Sequence, residues 1–352
     1  MNEQTEPRKI LVIMLRRIGD VLLTAPAARA LRKAFPQARV DLLCEPPADV
    51  LLRASPDVSS VVSYDSSLIG TVKALAWIRG ARYDWVVDYL GTPRSALLCL
   101  ASGASLRAGP AQVTHRWGYT RLLRESPEPC YSALEKIRVL RRLGVDVDES
   151  DCLPRLSPPA PARAFAQEAF RRLFPGAGRV VGLIPASRRE TRRWPVPRYA
   201  ELGRLLRDRF GARLCVFWGP GERALAEELA SLIGTDAAIS PPVRDLLDLA
   251  AMLGRCDLVV SNCNGPRHIA AACGVPTVTV YGSSDPACWN PPDRERHPAV
   301  RREGLPCIGC GSNDCGRGIE CLRDLPAQAV FEAAARILSS ENKTTGREIR
   351  CP

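Results

Sequence analysis

The sequence predicts an α/β protein of two similar halves, each a parallel sheet covered by helices on both faces. Three observations predict it. The chain has 352 residues, too long for one ordinary domain and comfortable for two. Short apolar runs alternate with stretches of amphipathic spacing through both halves. Between the halves, Pro154, Pro158, Pro159 and Pro161 fall within eight residues, which suits a linker. The expected division is a first domain over 1–153, a linker over 154–164, a second domain over 165–340 and a polar, fraying tail over 341–352.

In chain order, Ile10–Leu15 reads as a strand and 21–35 as a helix, followed by strands at Arg39–Cys44, Val58–Ser63 and Trp85–Asp88. Thr71–Arg79 has helical spacing. Residues 109–129 break the alternation and read as irregular, with His115, Arg116, Arg121 and Arg124 in them; Tyr131–Leu143 returns to helical spacing. The second half restarts with a strand at Val180–Ile184, a helix at Tyr199–Phe210, a strand at Arg213–Phe217 and a helix at Arg223–Ile233. Helices at Asp245–Leu253 and Arg267–Cys273 alternate with strands at Leu258–Val260 and Thr277–Tyr281, and Ala327–Ser339 closes the domain. Ligands of such sheets bind at the carboxyl ends of the strands, so a two-domain version offers a cleft between them.

Composition narrows the class. Hydrophobic residues make up 46% and charged residues 25%, a globular mixture rather than a disordered one. The first apolar run ends after six residues at Arg16, too short for a signal segment or a span, so a cytoplasmic protein is expected. Lys and Arg exceed Asp and Glu by 49 − 38 = 11. That excess favours polyanions, whether nucleic acid, phosphorylated glycolipid or an anionic leaflet, and by itself names none. Aromatic–basic interleaving of the kind RNA modules use is absent, which argues against nucleic acid. Of 14 cysteines, most, such as Cys44, Cys99, Cys215 and Cys273, sit in apolar stretches and read as small core hydrophobes.

Five segments carry candidate chemistry. Arg16-Arg17-Ile18-Gly19-Asp20 joins the first strand to the first helix. Asp20 there reads either as a helix N-cap or as a general base on an acceptor hydroxyl. The segment Pro185–Pro195 follows the first strand of the second half. Ser187, Thr191 and Arg192 in it suit an anion, with backbone N–H groups of the following helix as further donors. Trp218-Gly219-Pro220-Gly221-Glu222 lets backbone approach a ligand closely; Glu222 either accepts from ribose hydroxyls or favours its helix N-terminus. In Ser261–His268, Asn264 and Gly265 open a helix with Pro266 in its first turn; His268 reads as a ligand contact or as a satisfied core residue. Last, Cys307, Cys310, Cys315 and Cys321 occur as C-x2-C-x4-C-x5-C in a glycine-rich loop. They read as four reduced thiols, or as ligands of a structural Zn²⁺ or, second to it, an iron–sulfur cluster, which would pin the loop and take no part in transfer.

Taken together, these motifs resemble glycosyltransferase family 9, the lipopolysaccharide heptosyltransferases. The resemblance runs from about Arg8 to Leu338 through ILVIMLRRIGDVLLTAPAARALRKAFP, LIPASRRETRRWPVPRYAELGRLL, VFWGPGE and LVVSNCNGPRHIAAACGVPTVTVYGSSDPACWNPP. It implies the GT-B fold, two Rossmann-like domains whose parallel sheets face a central cleft, with the nucleotide-sugar donor held mainly by the second. It implies a metal-independent, inverting transfer from ADP-heptose to a lipid A–inner-core acceptor, with no cofactor required. Asp20 then takes the place of the catalytic base, which reverses the local preference for an N-cap. Ser187 and Arg192 take the phosphate-binding places, Glu222 the ribose contact, and Asn264, Gly265 and His268 the donor loop. Arg16, Arg17, Arg116 and Arg121 are assigned to a phosphorylated glycolipid acceptor met at the inner membrane's cytoplasmic face. One departure stands out: Cys263 occupies a place where the family usually has Asp.

Overall fold

The computed structural model describes residues 6–176 and 178–340; the polar tail over 341–352 lies outside the described residues. The chain divides into two compact units that meet at Ser157 and Pro158, inside the expected linker.

In the first unit, strand β1 (Lys9–Ile13) leads to helices α1 (Ile18–Leu22) and α2 (Ala25–Ala34), then β2 (Arg39–Cys44), α3 (Ala48–Arg53) and β3 (Ser60–Ser63). Helix α4 (Leu68–Ala81), β4 (Trp85–Asp88), α5 (Pro93–Ser102), β5 (Leu106–Pro110), β6 (Arg121–Leu123) and α6 (Ser132–Arg138) complete it. The sheet is parallel in the order β3-β2-β1-β4-β5-β6. Every β1 residue from Ile10 to Ile13 is fully buried, as a strand covered on both faces requires. Leu11 and Ile13 point to one face, where Ile78 of α4 and Leu98 and Cys99 of α5 pack on them.

The second unit begins with α7 (Ala160–Leu173), followed by β7 (Val180–Ile184), α8 (Val196–Phe210), β8 (Arg213–Val216), α9 (Arg223–Ile233) and β9 (Ala237–Ile239). Helix α10 (Leu246–Leu253), β10 (Leu258–Asn262), α11 (Gly265–Ala272), β11 (Thr277–Val280) and α12 (Pro286–Trp289) come next, then β12 (Ala299–Val300), α13 (Glu320–Arg323) and α14 (Ala327–Ser340). Its sheet runs β12-β11-β10-β7-β8-β9, again parallel. Val181, Leu183, Leu214, Val216, Val260 and Val280 form one sheet face under α8, α9 and α14.

Two sequence expectations need correction here. Residues 109–129 are not wholly irregular: β5 ends in them and β6 forms an edge strand. The last linker residues are also helical, since α7 starts at Ala160 with Pro161 in its first turn, where proline's missing N–H costs nothing.

One buried group gives this fold a pH dependence. His297 is 2% exposed, with Nδ1 at 2.9 Å from the Thr277 hydroxyl. Burial, with Arg296 and Arg267 nearby, pushes the imidazole down to about 4, while Asp293 opposes them. Between that value and the unfolded histidine value near 6.5 the unfolded chain binds the extra proton. Stability is therefore fully present above about pH 6.5 and falls as the pH drops toward 4, by on the order of 3 kcal/mol. Thermal melts over this window are expected to show the slope in the wild type and a flattened one in His297→Gln; parallel curves would remove the assignment.

Candidate active site

In each sheet the chain reverses direction beside its first strand: between β1 and β4 in one unit, and between β7 and β10 in the other. Loops diverge at such a point and leave a crevice outside the carboxyl ends of the strands. The predicted residues Asp20, Ser187, Arg192, Asn264 and Gly265 all follow one of these four strands.

Asp20 lies in the third position of α1, not ahead of it, which corrects the N-cap reading; the N-cap is Arg17. The half-buried carboxylate accepts one long hydrogen bond, 3.4 Å from the Arg17 backbone N–H to Oδ2. Oδ1 has no partner among the described residues, so the group is not consumed by capping. Arg16 and Arg17 beside it are exposed.

The structure adds two residues that the sequence did not single out. Lys136 of α6 is only 8% exposed, and its Nζ donates to the Ser132 hydroxyl at 2.6 Å. Burial pushes its ammonium below the usual lysine range, opposed first by the charge of Asp20 and then by Glu125 and Glu135. The Glu135 carboxylate is already engaged by the Ser126 N–H and the Cys130 thiol. A buried ammonium without a carboxylate at salt-bridge distance is costly, and such groups concentrate at functional sites. Asp88, at the end of β4, is 1% exposed and pushed up by burial. It accepts from Leu90 N–H, Gly91 N–H and the Tyr119 hydroxyl, so its part is to hold the β4–α5 loop.

In the second unit, side chains lace the predicted donor loops together. Asn262 accepts from the Trp194 N–H at 2.9 Å and donates to the Pro185 carbonyl at 2.7 Å. Asn264 caps α11 by accepting from the Arg267 N–H, and its amide donates to the Ala186 carbonyl at 3.0 Å. Trp194 is fully buried, edge-on to Tyr199, and fixes the far end of the loop. Arg193 is spent on the Ser187 carbonyl, at 2.7 and 3.2 Å. By contrast, the Ser187 hydroxyl has no partner among the described residues, and the Arg192 guanidinium has a buried Nε with none. A basic side chain and a hydroxyl left unspent between two helix N-termini suit an anion.

Glu222 and His268 both have contacts inside the second unit. Glu222 precedes α9 and closes its own turn by accepting from the Gly219 N–H at 2.9 Å, which leaves its other oxygen for a further donor. His268 is 4% exposed, and its Nε2 sits 3.1 Å from the guanidinium of the buried Arg267. Arg116 and Arg121 are exposed, Arg121 on β6, the edge strand of the sheet.

The glycine-rich cysteine loop docks beside the donor loop. Gly311 N–H donates to the Ser283 carbonyl and Thr191 Oγ1 to the Ser312 carbonyl. A Cβ on Gly282 would stand 2.7 Å from the Thr191 carbonyl oxygen, so only glycine allows this approach. Cys307, Cys310, Cys315 and Cys321 are free thiols. Burial pushes Cys321 up, with the other three thiols adding to it. Among the described residues no three such side chains are grouped so as to hold a metal ion.

The family profile described as Glycosyltransferase family 9 (heptosyltransferase) matches residues 73–314. The chain belongs to that family and is a glycosyltransferase of the heptosyltransferase kind. Lipopolysaccharide heptosyltransferase 2 of Escherichia coli K12 is 26% identical over 354 residues, covering 95% of this chain and 99% of the relative. Among solved structures, a family 9 glycosyltransferase from Veillonella parvula superposes with a TM-score of 0.80 at 21% identity, covering 95% of this chain and 97% of that one. The E. coli ADP-heptose lipopolysaccharide heptosyltransferase II gives 0.75 at 23%, covering 95% and 99%. The expected GT-B class of two Rossmann-like units therefore holds.

Proposed function

We propose that the protein transfers heptose from ADP-heptose to a lipid A-linked inner-core acceptor, with inversion at the anomeric carbon and no metal. The observation that carries this reading is the unspent pair Ser187 and Arg192 at the β7–β10 crevice, chemistry suited to a diphosphate. In this reading Asp20 takes the proton of the acceptor hydroxyl as its oxygen bonds to the anomeric carbon. The bond from that carbon to the diphosphate breaks in the same displacement, and ADP leaves with the electron pair. Ser187, Arg192 and the N–H groups opening α11 stabilise the charge that develops on it. Glu222 contacts the ribose, and Arg16 and Arg17 meet the acidic acceptor. Such an acceptor places the protein at the cytoplasmic face of the inner membrane; among the described residues no helix is long and apolar enough to cross it. A structural Zn²⁺ on the four cysteines is a separate expectation that this transfer does not need.

A second reading keeps the fold and changes the donor. Cys263, buried beside the α11 cap where the family usually has Asp, favours it. Calorimetric titration with ADP, UDP and GDP, then ADP-heptose, separates the two. ADP is expected to bind at least about tenfold tighter than the other two, a difference of about 1.4 kcal/mol. A preference for UDP or GDP would discard heptose and keep the transferase.

A further inference from the structure

Nine large hydrophobic side chains are exposed among the described residues, and eight of them lie between Leu68 and Leu122; the ninth is Leu232. Chance scatter over a surface does not produce that. Helix α4 is apolar on its outer side as well as on the inner one, where Ile78, Ala74, Leu75 and Ala81 pack on the core. Only Gly70 and Ile78 on it are buried, while Leu68, Ile69 and Val72 are 82%, 68% and 58% exposed, with Trp77 further along. Leu68 and Val72 are four residues apart and Ile69 and Val72 three, so they share one stripe with Lys73. Helix α5 packs beside α4 and adds Leu97 and Leu100; the turn at 116–118 packs on α5 and adds Trp117.

The charge on the same stretch has one sign. From Leu68 to Arg124 there are eight Lys and Arg and two Asp. Neither carboxylate is available: Asp88 is buried, and Asp84 accepts from the Arg8 and Lys9 N–H groups. Lys73, Arg79, Arg82, Arg116, Arg121 and Arg124 are exposed around the apolar residues. Exposed carboxylates come only at the ends of this stretch, Asp65 before α4 and Glu125 and Glu128 after Arg124, so apolar side chains, tryptophans and a net excess of basic residues match an interfacial membrane element.

We propose that this face, with α4 at its centre, seats the protein on an anionic phospholipid surface. Leu68, Ile69 and Val72 enter the boundary between headgroups and acyl chains, and the surrounding Lys and Arg side chains meet the lipid phosphates. This also gives Arg116 and Arg121 a place, since both are exposed on this stretch of the chain. The inference deepens the reading of a lipid-linked acceptor, but binding to a bilayer needs neither donor nor acceptor, so the two fail separately.

Co-sedimentation of the full chain with phosphatidylethanolamine–phosphatidylglycerol vesicles, against phosphatidylcholine vesicles, tests it. Binding is expected to the anionic vesicles, to weaken with salt, and to fall at least about tenfold in Leu68→Ser/Ile69→Ser/Val72→Ser. The three side chains are solvent-exposed, so Tm and ADP affinity should not change; Lys73→Glu should weaken binding independently, and Leu232→Ser should not. Three results would overturn the proposal: no binding by the wild type, equal binding by the triple variant, or a wild-type dimer that the triple variant converts to monomer. The last would make this face a contact between two copies.

Discussion

Asp20→Asn is expected to lower kcat by about 10²–10⁴-fold, the range of a positioned general base, and to leave ADP affinity within about twofold. The substitution is nearly isosteric. The amide oxygen can still accept from the Arg17 N–H, so the β1–α1 loop keeps its shape. What is lost is the capacity to take a proton, with the charge that faces the buried Lys136. The loops that suit the diphosphate belong to the other unit, which is why donor affinity should not follow. Single-turnover rates with saturating ADP-heptose, together with calorimetry of ADP, measure the two quantities apart. Full turnover in the variant would take the base away from Asp20; a parallel loss of ADP affinity would mean a structural fault instead.

The fold was legible wherever a strand or helix carried its own pattern. Leu258–Val260 and Val180–Ile184 are apolar runs of the kind a parallel sheet covered on both faces requires, and both lie in strands. Edges were not legible. Strands β6, β9 and β12 are two or three residues long, and only pairing with a neighbour defines them. Pro161 was read as linker because proline marks a break and a helix start equally well.

At the site, the donor loops could be read because glycine, hydroxyl and arginine residues cluster after strands. Which of their arginines stayed free could not: Arg193 and Arg192 are adjacent in sequence, and only the fold spends one on the Ser187 carbonyl. Lys136 and Asp88 were missed for a related reason. Their interest lies in burial, and neither sits in a sequence that announces it. Arg116 and Arg121 were grouped with the acceptor on charge alone; that Arg121 stands on the edge strand is visible only in the fold.

That difference between neighbouring arginines leads to the second large effect. Arg192→Ala is expected to weaken ADP binding by about 10–150-fold, the worth of a charge-assisted hydrogen bond of about 1.5–3 kcal/mol. The same change should leave the melting temperature unchanged or slightly higher. In the ligand-free protein the buried Arg192 Nε makes no hydrogen bond, and removing an unmade bond removes a cost. Arg193→Ala should do the reverse. It deletes two bonds to the Ser187 carbonyl, so the loop loosens and Tm falls, with ADP affinity affected only as far as Ser187 moves. Arg192→Lys keeps the charge and loses the planar fork, and should fall between wild type and alanine. Calorimetry and melts on the three variants read both axes at once. An Arg192→Ala protein that binds ADP within twofold of wild type would free the diphosphate from this loop, and the assignment of Ser187 would go with it.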